Sequence, residues 1–215
     1  MGEMHTTDLS KAPFQWTLEQ PVQTIVFPRH PDTFDEIARN LQALGHSIEV
    51  VPFEHSGERL FGCLERVKFN GQHCIAKYIG PESSELFEIA ARGIQQERDG
   101  LVLGKGLTTP IIAEIRVDDR VVAVFRGFTE GESLRDSIDQ GKVSVSDARA
   151  SVQELVEKLT SSGLYLWDCN SANVWRRPDG AVILLEGQCL FPSEADHATL
   201  LAKNTEIANV MFPPA

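Results

Sequence analysis

Asn70-Gly71 sits between two apolar runs, and this pair constrains the fold more than any other stretch of the chain. One run covers 60–69 and the other 73–79. A tight type I′ turn needs a left-handed backbone at both central positions, which Asn and Gly tolerate best. The two runs are therefore expected to pair as an antiparallel hairpin. Lys77 then lies on a strand, at the end of Cys74-Ile75-Ala76-Lys77.

A helix is expected over 83–103, because Leu86, Ala90, Gly93, Glu97 and Leu101 recur at steps of three and four. Glu97 falls on the apolar stripe. A buried carboxylate is costly unless a cation meets it, and Lys77 is the natural partner. The plainer alternative sets the stripe slightly round the helix and leaves Glu97 at its solvated edge.

The other elements follow from the same patterns. Strands are expected at 23–27, 47–53, 111–115 and 120–125, the last two joined by a turn at Asp118-Asp119. A first helix carries Phe34, Ile37, Ala38, Leu41 and Leu44, with Asp32 or Thr33 as cap and Gly45 as stop. Residues 126–134 break the pattern and mark the best domain boundary. Helices are expected at 146–162, closed by Gly163, and at 194–210, before Pro213-Pro214. Between them, Pro178-Asp179-Gly180 joins 173–176 and 181–185 in a second hairpin. The expected organisation is an extension over 1–46, a strand-rich unit with one helix over 47–127, and a helical unit over 128–215.

Composition narrows the class of partner. The formal charge of −11 over 215 residues opposes binding to nucleic acid polymers or to an anionic membrane. No apolar run approaches a spanning helix, and the start of the chain lacks a signal-peptide core, so a cytoplasmic protein is expected. Cys63, Cys74, Cys169 and Cys189 form no close CxxC pair and read as free thiols. The six histidines show no paired metal-ligand spacing. Trp16, Trp167 and Trp175 read as packing residues, although Trp167 and Trp175 bracket a polar loop and could line a pocket.

That loop is Trp167-Asp168-Cys169-Asn170-Ser171-Ala172-Asn173-Val174. Glu186 follows Asn173 by thirteen residues, after the apolar strand at 181–185. Asp-x4-Asn alone is a weak signal, since polar loops use both residues for Asx turns. Lysine at a strand end is weaker still. Lys77, Glu97, Asp168, Asn173 and Glu186 taken together, in that order and on those element types, are a stronger one.

From about residue 47 to 190 the chain resembles the protein-kinase-like superfamily, closer to its atypical and small-molecule branches than to signalling kinases. The resemblance implies an α+β, two-lobed fold with an antiparallel-sheet N-lobe and a reduced helical C-lobe. It implies that Lys77 holds the phosphates of ATP and that Glu97 orients Lys77. Asp168 would accept the proton of a substrate hydroxyl, and Asn173 and Glu186 would ligate Mg2+. Gly57 and Gly62 would belong to the phosphate-covering loop, and the backbone from Arg126 to Phe128 would meet the adenine.

The chain departs from the family pattern in several places. Glu186-Gly187-Gln188 stands where Asp-Phe-Gly is usual, and the extra methylene displaces the carboxylate by roughly an ångström. Ser56-Gly57-Glu58-Arg59-Leu60-Phe61-Gly62 keeps only two glycines of the loop pattern. Leu166 and Trp167 replace the usual His and Arg. Only 28 residues follow Gly187, so a peptide substrate is not expected.

The favoured expectation is an ATP- and Mg2+-dependent phosphotransferase acting on a small-molecule hydroxyl. One alternative is a pseudokinase binding module. Another is a repurposed fold that uses Asp168 or Glu186 as acid or base in small-molecule biosynthesis without phosphoryl transfer. The extension at 1–46 is expected to cover a sheet edge or to mediate self-association.

Overall fold

The computed structural model describes residues 21–52, 57–59, 62–80 and 87–213. The chain opens with β1 (Gln23–Phe27) and α1 (Phe34–Ala43). Thr33 caps α1 by accepting from the Glu36 amide, and Phe34, Ile37 and Leu41 are buried. Gly45 at φ +88° ends the turn that follows, a left-handed stop that glycine adopts without cost.

Four strands come next: β2 (Ile48–Val50), β3 (Gly57–Arg59), β4 (Gly62–Phe69) and β5 (Gln72–Tyr78). The hairpin read from Asn70-Gly71 is present. Both residues have positive φ, 46° and 83°, and Phe69 lies opposite Gln72. Its first expected residues, Leu60 and Phe61, lie outside the described residues, as does Phe53 at the end of the expected 47–53 strand.

Helix α2 (Phe87–Leu103) precedes β6 (Ile111–Val117) and β7 (Arg120–Gly127). The expected helical residues 83–86 lie outside the described residues. These strands form one seven-stranded mixed sheet, ordered β1-β6-β7-β5-β4-β2, with β3 paired to β4. Only β1 and β6 run parallel; the other pairings are antiparallel. Residues 21–46 thus join the sheet, with β1 along the edge of β6, and share its core. Ile25, Phe27, Ile37, Phe69, Ile94 and Phe125 all belong to that cluster.

The remaining chain builds a second cluster. It comprises β8 (Glu132–Ser133), α3 (Leu134–Asp139), α4 (Val145–Ser161), β9 (Leu164–Leu166), β10 (Val174–Arg176), β11 (Val182–Leu184), β12 (Leu190–Pro192) and α5 (His197–Met211). Leu134, Val152, Leu159, Leu166, Leu190 and Met211 pack together there. β10 pairs with both β11 and β8, and β9 pairs with β12. The second expected hairpin is therefore present, with Gly180 at φ +85°.

Buried Asn204 of α5 holds β9 in place. Its Oδ1 accepts from the Leu166 amide at 2.8 Å, and its Nδ2 donates to the Leu164 carbonyl at 2.9 Å. Leu107, beyond the end of α2, packs against this second cluster, and its carbonyl accepts from the Leu184 amide (2.9 Å). The architecture is a mixed α+β fold. No helix among the described residues is long and apolar enough to cross a membrane.

Candidate functional site

Strand alternation places Lys77. Cys74, Ala76 and Tyr78 belong to the first core, and the Phe34 ring of α1 packs on Tyr78 with centroids 5.4 Å apart. Lys77 is one residue out of phase and points to the opposite face, where α2 lies. It is only 3% exposed. Its ammonium donates to Gln188 Oε1 at 2.9 Å and lies 3.8 Å from Glu97 Oε2.

Glu97 is fully buried, as its place on the apolar stripe predicts. Its Oε2 accepts from the amides of Gly187 and Gln188, both at 3.1 Å. Its Oε1 has no hydrogen bond but lies 3.4 Å from the Arg126 guanidinium. The carboxylate therefore faces two cations and two backbone donors, which is what a dry anion needs.

A neighbouring anchor sets the helix. Arg98 donates to Glu114 Oε2 on β6, and Arg116 donates to Glu114 Oε1, both at 2.7 Å. Burial alone would raise the Glu114 carboxyl, but hydrogen bonds from Arg98 and Arg116 hold it below the usual carboxylate value. This clamp fixes the turn of α2 that carries Glu97.

Two glycines bring the segment after β11 against α2. A Cβ on Gly100 would lie 2.8 Å from Gly187 Cα and would overlap the Gly187 carbonyl. A Cβ on Gly187 would overlap the Glu97 carbonyl oxygen and lie 2.8 Å from the Gly100 carbonyl carbon. Only glycine fits at either position. The close approach lets Glu97 reach the two amides.

Glu186 is half-buried beyond this crossing. Its Oε2 accepts from Asn173 Nδ2 at 3.0 Å and from Gln188 Nε2 at 2.9 Å. Asn173 ends a 3-10 turn (Ser171–Asn173) that Asn170 caps by accepting from the amides of Ala172 and Asn173. The Asn173 carbonyl accepts from the Leu185 amide at 2.9 Å, which joins the loop to the strand leading into Glu186.

The structure thus links Lys77, Glu97, Arg126, Asn173 and Glu186 through a continuous set of contacts. Gln188 sits at its centre. Asp168, Gly57, Gly62 and Phe128 are outside it. Asp168 is exposed and has φ 45°, a left-handed conformation that is sparse for residues other than glycine, though Asp tolerates it. Its carboxylate has no hydrogen-bond or ion-pair partner among the described residues. The Trp167 amide before it donates to the Cys189 carbonyl at 2.8 Å. The loop is therefore tied to the same segment as Glu186.

The expected phosphate loop is described only in part. Gly57 lies in β3 opposite Leu64, and Gly62, at φ +117°, begins β4. Ser56, Leu60 and Phe61 lie outside the described residues.

Arg126 and Phe128, whose backbone the resemblance sets against the adenine, make several contacts within the chain. The Arg126 guanidinium is buried and donates to the Leu185 carbonyl. The amides of Gly127 and Phe128 donate to the Pro110 and His73 carbonyls, both at 2.8 Å. The Phe128 ring lies under the Arg66 guanidinium, 4.0 Å from its centroid. Those two backbone donors are therefore already engaged.

All four cysteines are buried, and none forms a disulfide among the described residues. The Cys169 thiol facing it and burial both push the Cys189 thiol well above its ordinary value. Thiolate chemistry at Cys189 is disfavoured accordingly. Among the described residues, no group of three or more His, Cys, Asp and Glu could hold a metal alone.

Residues to which the sequence patterns assign no role in the site do much of the work here. Gln188 bridges Lys77 and Glu186, Gln96 donates its side-chain amide to the Gln188 carbonyl, and Gly100 permits the close crossing. Gly100 lies three residues after Glu97 on the same helix face, and that spacing was the available signal. No protein-family model matches the chain, and no curated protein matches it.

Proposed function

We propose that this chain is a two-lobed, protein-kinase-like phosphotransferase that moves a phosphoryl group from ATP to a small-molecule hydroxyl. One observation carries the reading. Lys77 of β5, Glu97 of α2, Asn173 of the 3-10 turn and Glu186 after β11 come from four separate elements, yet contacts of 2.9 to 3.8 Å connect them. The sheet with α1 and α2 forms the first lobe, the second cluster forms the other, and the polar set lies between them.

Each residue has a physical task. Lys77 supplies a positive charge to phosphate oxygens, and Glu97 keeps that charge oriented in a dry setting. Asp168, exposed and without a competing partner, receives the proton of the attacking hydroxyl. Its left-handed backbone turns the carboxylate away from the regular strand path. Trp167 anchors that turn through its amide.

The donor set suits magnesium. Glu186 offers a carboxylate and Asn173 an amide oxygen, hard ligands of the kind that hold Mg2+ together with phosphates and water. The ion would neutralise charge on the transferring group. Phosphoryl transfer rests mostly on positioning and charge neutralisation, so a small rigid constellation is sufficient.

A second reading has its own observation. The Lys77 ammonium already donates to Gln188, and the amides of Gly127 and Phe128 are engaged. Both features favour a pseudokinase, a kinase-shaped module that binds partners without turnover. Calorimetric titration with ATP in the presence and absence of Mg2+ separates the two. Magnesium-dependent binding, followed by phosphoryl transfer in a screen of hydroxylated metabolites, supports the enzyme. Absence of nucleotide binding in both conditions removes the phosphotransferase reading.

A further inference from the structure

We propose that the Gln188 side chain is a gate over Lys77, which must swing away before any phosphate oxygen can reach the ammonium. This deepens the phosphotransferase reading and rests on it for the identity of the incoming anion. The geometry of Gln188 has two parts. Its backbone is pinned: the amide donates to Glu97 Oε2 at 3.1 Å, and the carbonyl accepts from Gln96. The preceding Gly187 is wedged against Gly100 with no space for even a methyl group.

The side chain is held differently. Its Oε1 accepts from Lys77 Nζ at 2.9 Å, and its Nε2 donates to Glu186 Oε2 at 2.9 Å. Both partners are the groups assigned to phosphate and metal. An amide oxygen at hydrogen-bond distance from Lys77 occupies the place a phosphate oxygen would take, with the same acceptor chemistry. An amide nitrogen on Glu186 likewise occupies a position open to a cation.

The gate is therefore the side chain alone. Gln188 is half-buried, so its amide can leave toward solvent while the backbone stays. Phosphate and magnesium arriving together replace both of its hydrogen bonds at once. That predicts strong positive coupling between the two ligands, because neither alone releases both ends of the amide.

The test uses the full chain and two readouts. The first is acetylation of Lys77 by acetic anhydride, followed by peptide mass mapping; it requires no nucleotide. Q188A is expected to label several-fold faster than the parent at Lys77, with the exposed Lys203 as internal reference. The second is binding of ATP with Mg2+. Q188A is expected to bind about tenfold tighter, the equivalent of about 1.4 kcal/mol. Q188N, which keeps an amide one methylene short, should move both readouts in the same direction and guards against a folding defect in Q188A.

Unchanged labelling of Lys77 in both variants overturns the gate. Equal or weaker nucleotide affinity in both variants, while the parent binds ATP, also overturns it and leaves the phosphotransferase reading standing. Faster labelling with no nucleotide binding by any of the three proteins supports the gate over Lys77 and removes the phosphotransferase reading.

Discussion

Gly100→Ala is the sharpest test of how the site is assembled. Helix propensity alone predicts that alanine in the middle of α2 stabilises the protein by up to about 1 kcal/mol. The packing predicts the opposite. The new Cβ would lie 2.8 Å from Gly187 Cα and closer still to its carbonyl, whereas carbon atoms pack comfortably at about 3.5–4.0 Å. The segment would have to retreat by about 1 Å or more. Its amides at Gly187 and Gln188 now lie 3.1 Å from Glu97 Oε2, and such a retreat takes both beyond hydrogen-bonding distance. Each hydrogen bond to a charged acceptor contributes about 1.5–3 kcal/mol, and overpacking adds about 1–3 kcal/mol. Partial relaxation and the helix gain offset some of this, which leaves a net loss of about 3–5 kcal/mol. For a chain of this size that lowers Tm by roughly 10 °C. Urea unfolding followed by tryptophan fluorescence, with calorimetry alongside, measures it. A variant as stable as the parent, or more stable, would refute the crossing of α2 by the Gly187 backbone.

Three other perturbations probe separate parts of the account. Glu97→Ala leaves the Lys77 and Arg126 charges buried without their anion and should cost about 3–5 kcal/mol in urea unfolding; a cost below about 1 kcal/mol would contradict the buried pairing. Asp168→Asn keeps a residue that tolerates φ 45° but removes the carboxylate proposed as the base, so on that reading turnover should fall at least about a hundredfold while Tm stays within a few degrees. Burial pushes the Cys74 thiol from 9.0 up to about 12, and burial raises the Tyr78 hydroxyl as well. The unfolded chain therefore loses these protons at lower pH than the fold does, and stability falls between pH 9 and 12 by up to about 1.4 kcal/mol per pH unit per group; Cys74→Ala should flatten the part of that slope that begins near pH 9.

The sequence was most readable where local chemistry dictates geometry. Asn70-Gly71 can adopt the paired left-handed turn that most residues resist, so the β4–β5 hairpin followed directly. The burial of Glu97 and its contact with Lys77 followed from one helical stripe and one strand end, because a carboxylate in that position has few affordable partners. Short elements were less readable. β8, β9 and β12 have two or three residues each, too few to show a period; Asn204 holds β9, β12 pairs with β9, and β8 pairs with β10. Helix α3 has six residues, and its Ser133 cap was hidden inside a stretch that reads as a linker. The site was legible as a list of charged residues and illegible as a network. Gln188 and Gln96 carry no charge that demands a partner, so only three-dimensional proximity reveals that they close the circuit. At Arg126, whose backbone is expected beside the adenine, strand alternation does not say where the guanidinium turns; it donates to the Leu185 carbonyl.

Glu186 and Gln188 are best understood together. In the Asp-Phe-Gly pattern of the family proposed above, the acid is one methylene shorter and the third residue has no side chain. A carboxylate drawn back by roughly an ångström could not keep both the Asn173 bond at 3.0 Å and the Gln188 bond at 2.9 Å. A glycine at 188 would leave Lys77 with Glu97 alone, at 3.8 Å, which is too long for a strong hydrogen bond. The longer acid and the added amide therefore compensate for each other. Glu186 reaches across to the loop that carries Asn173, and Gln188 spans back to the strand that carries Lys77. The cluster contains two cations, Lys77 and Arg126, and two carboxylates, Glu97 and Glu186. It is neutral as it stands, which is the condition under which so many ionisable groups can share a largely dry site. On the phosphotransferase reading proposed above, an incoming nucleotide would add negative charge to this balanced set, and Glu186 would oppose its binding without a divalent cation. The magnesium dependence expected on that reading follows from the charge count of the cluster.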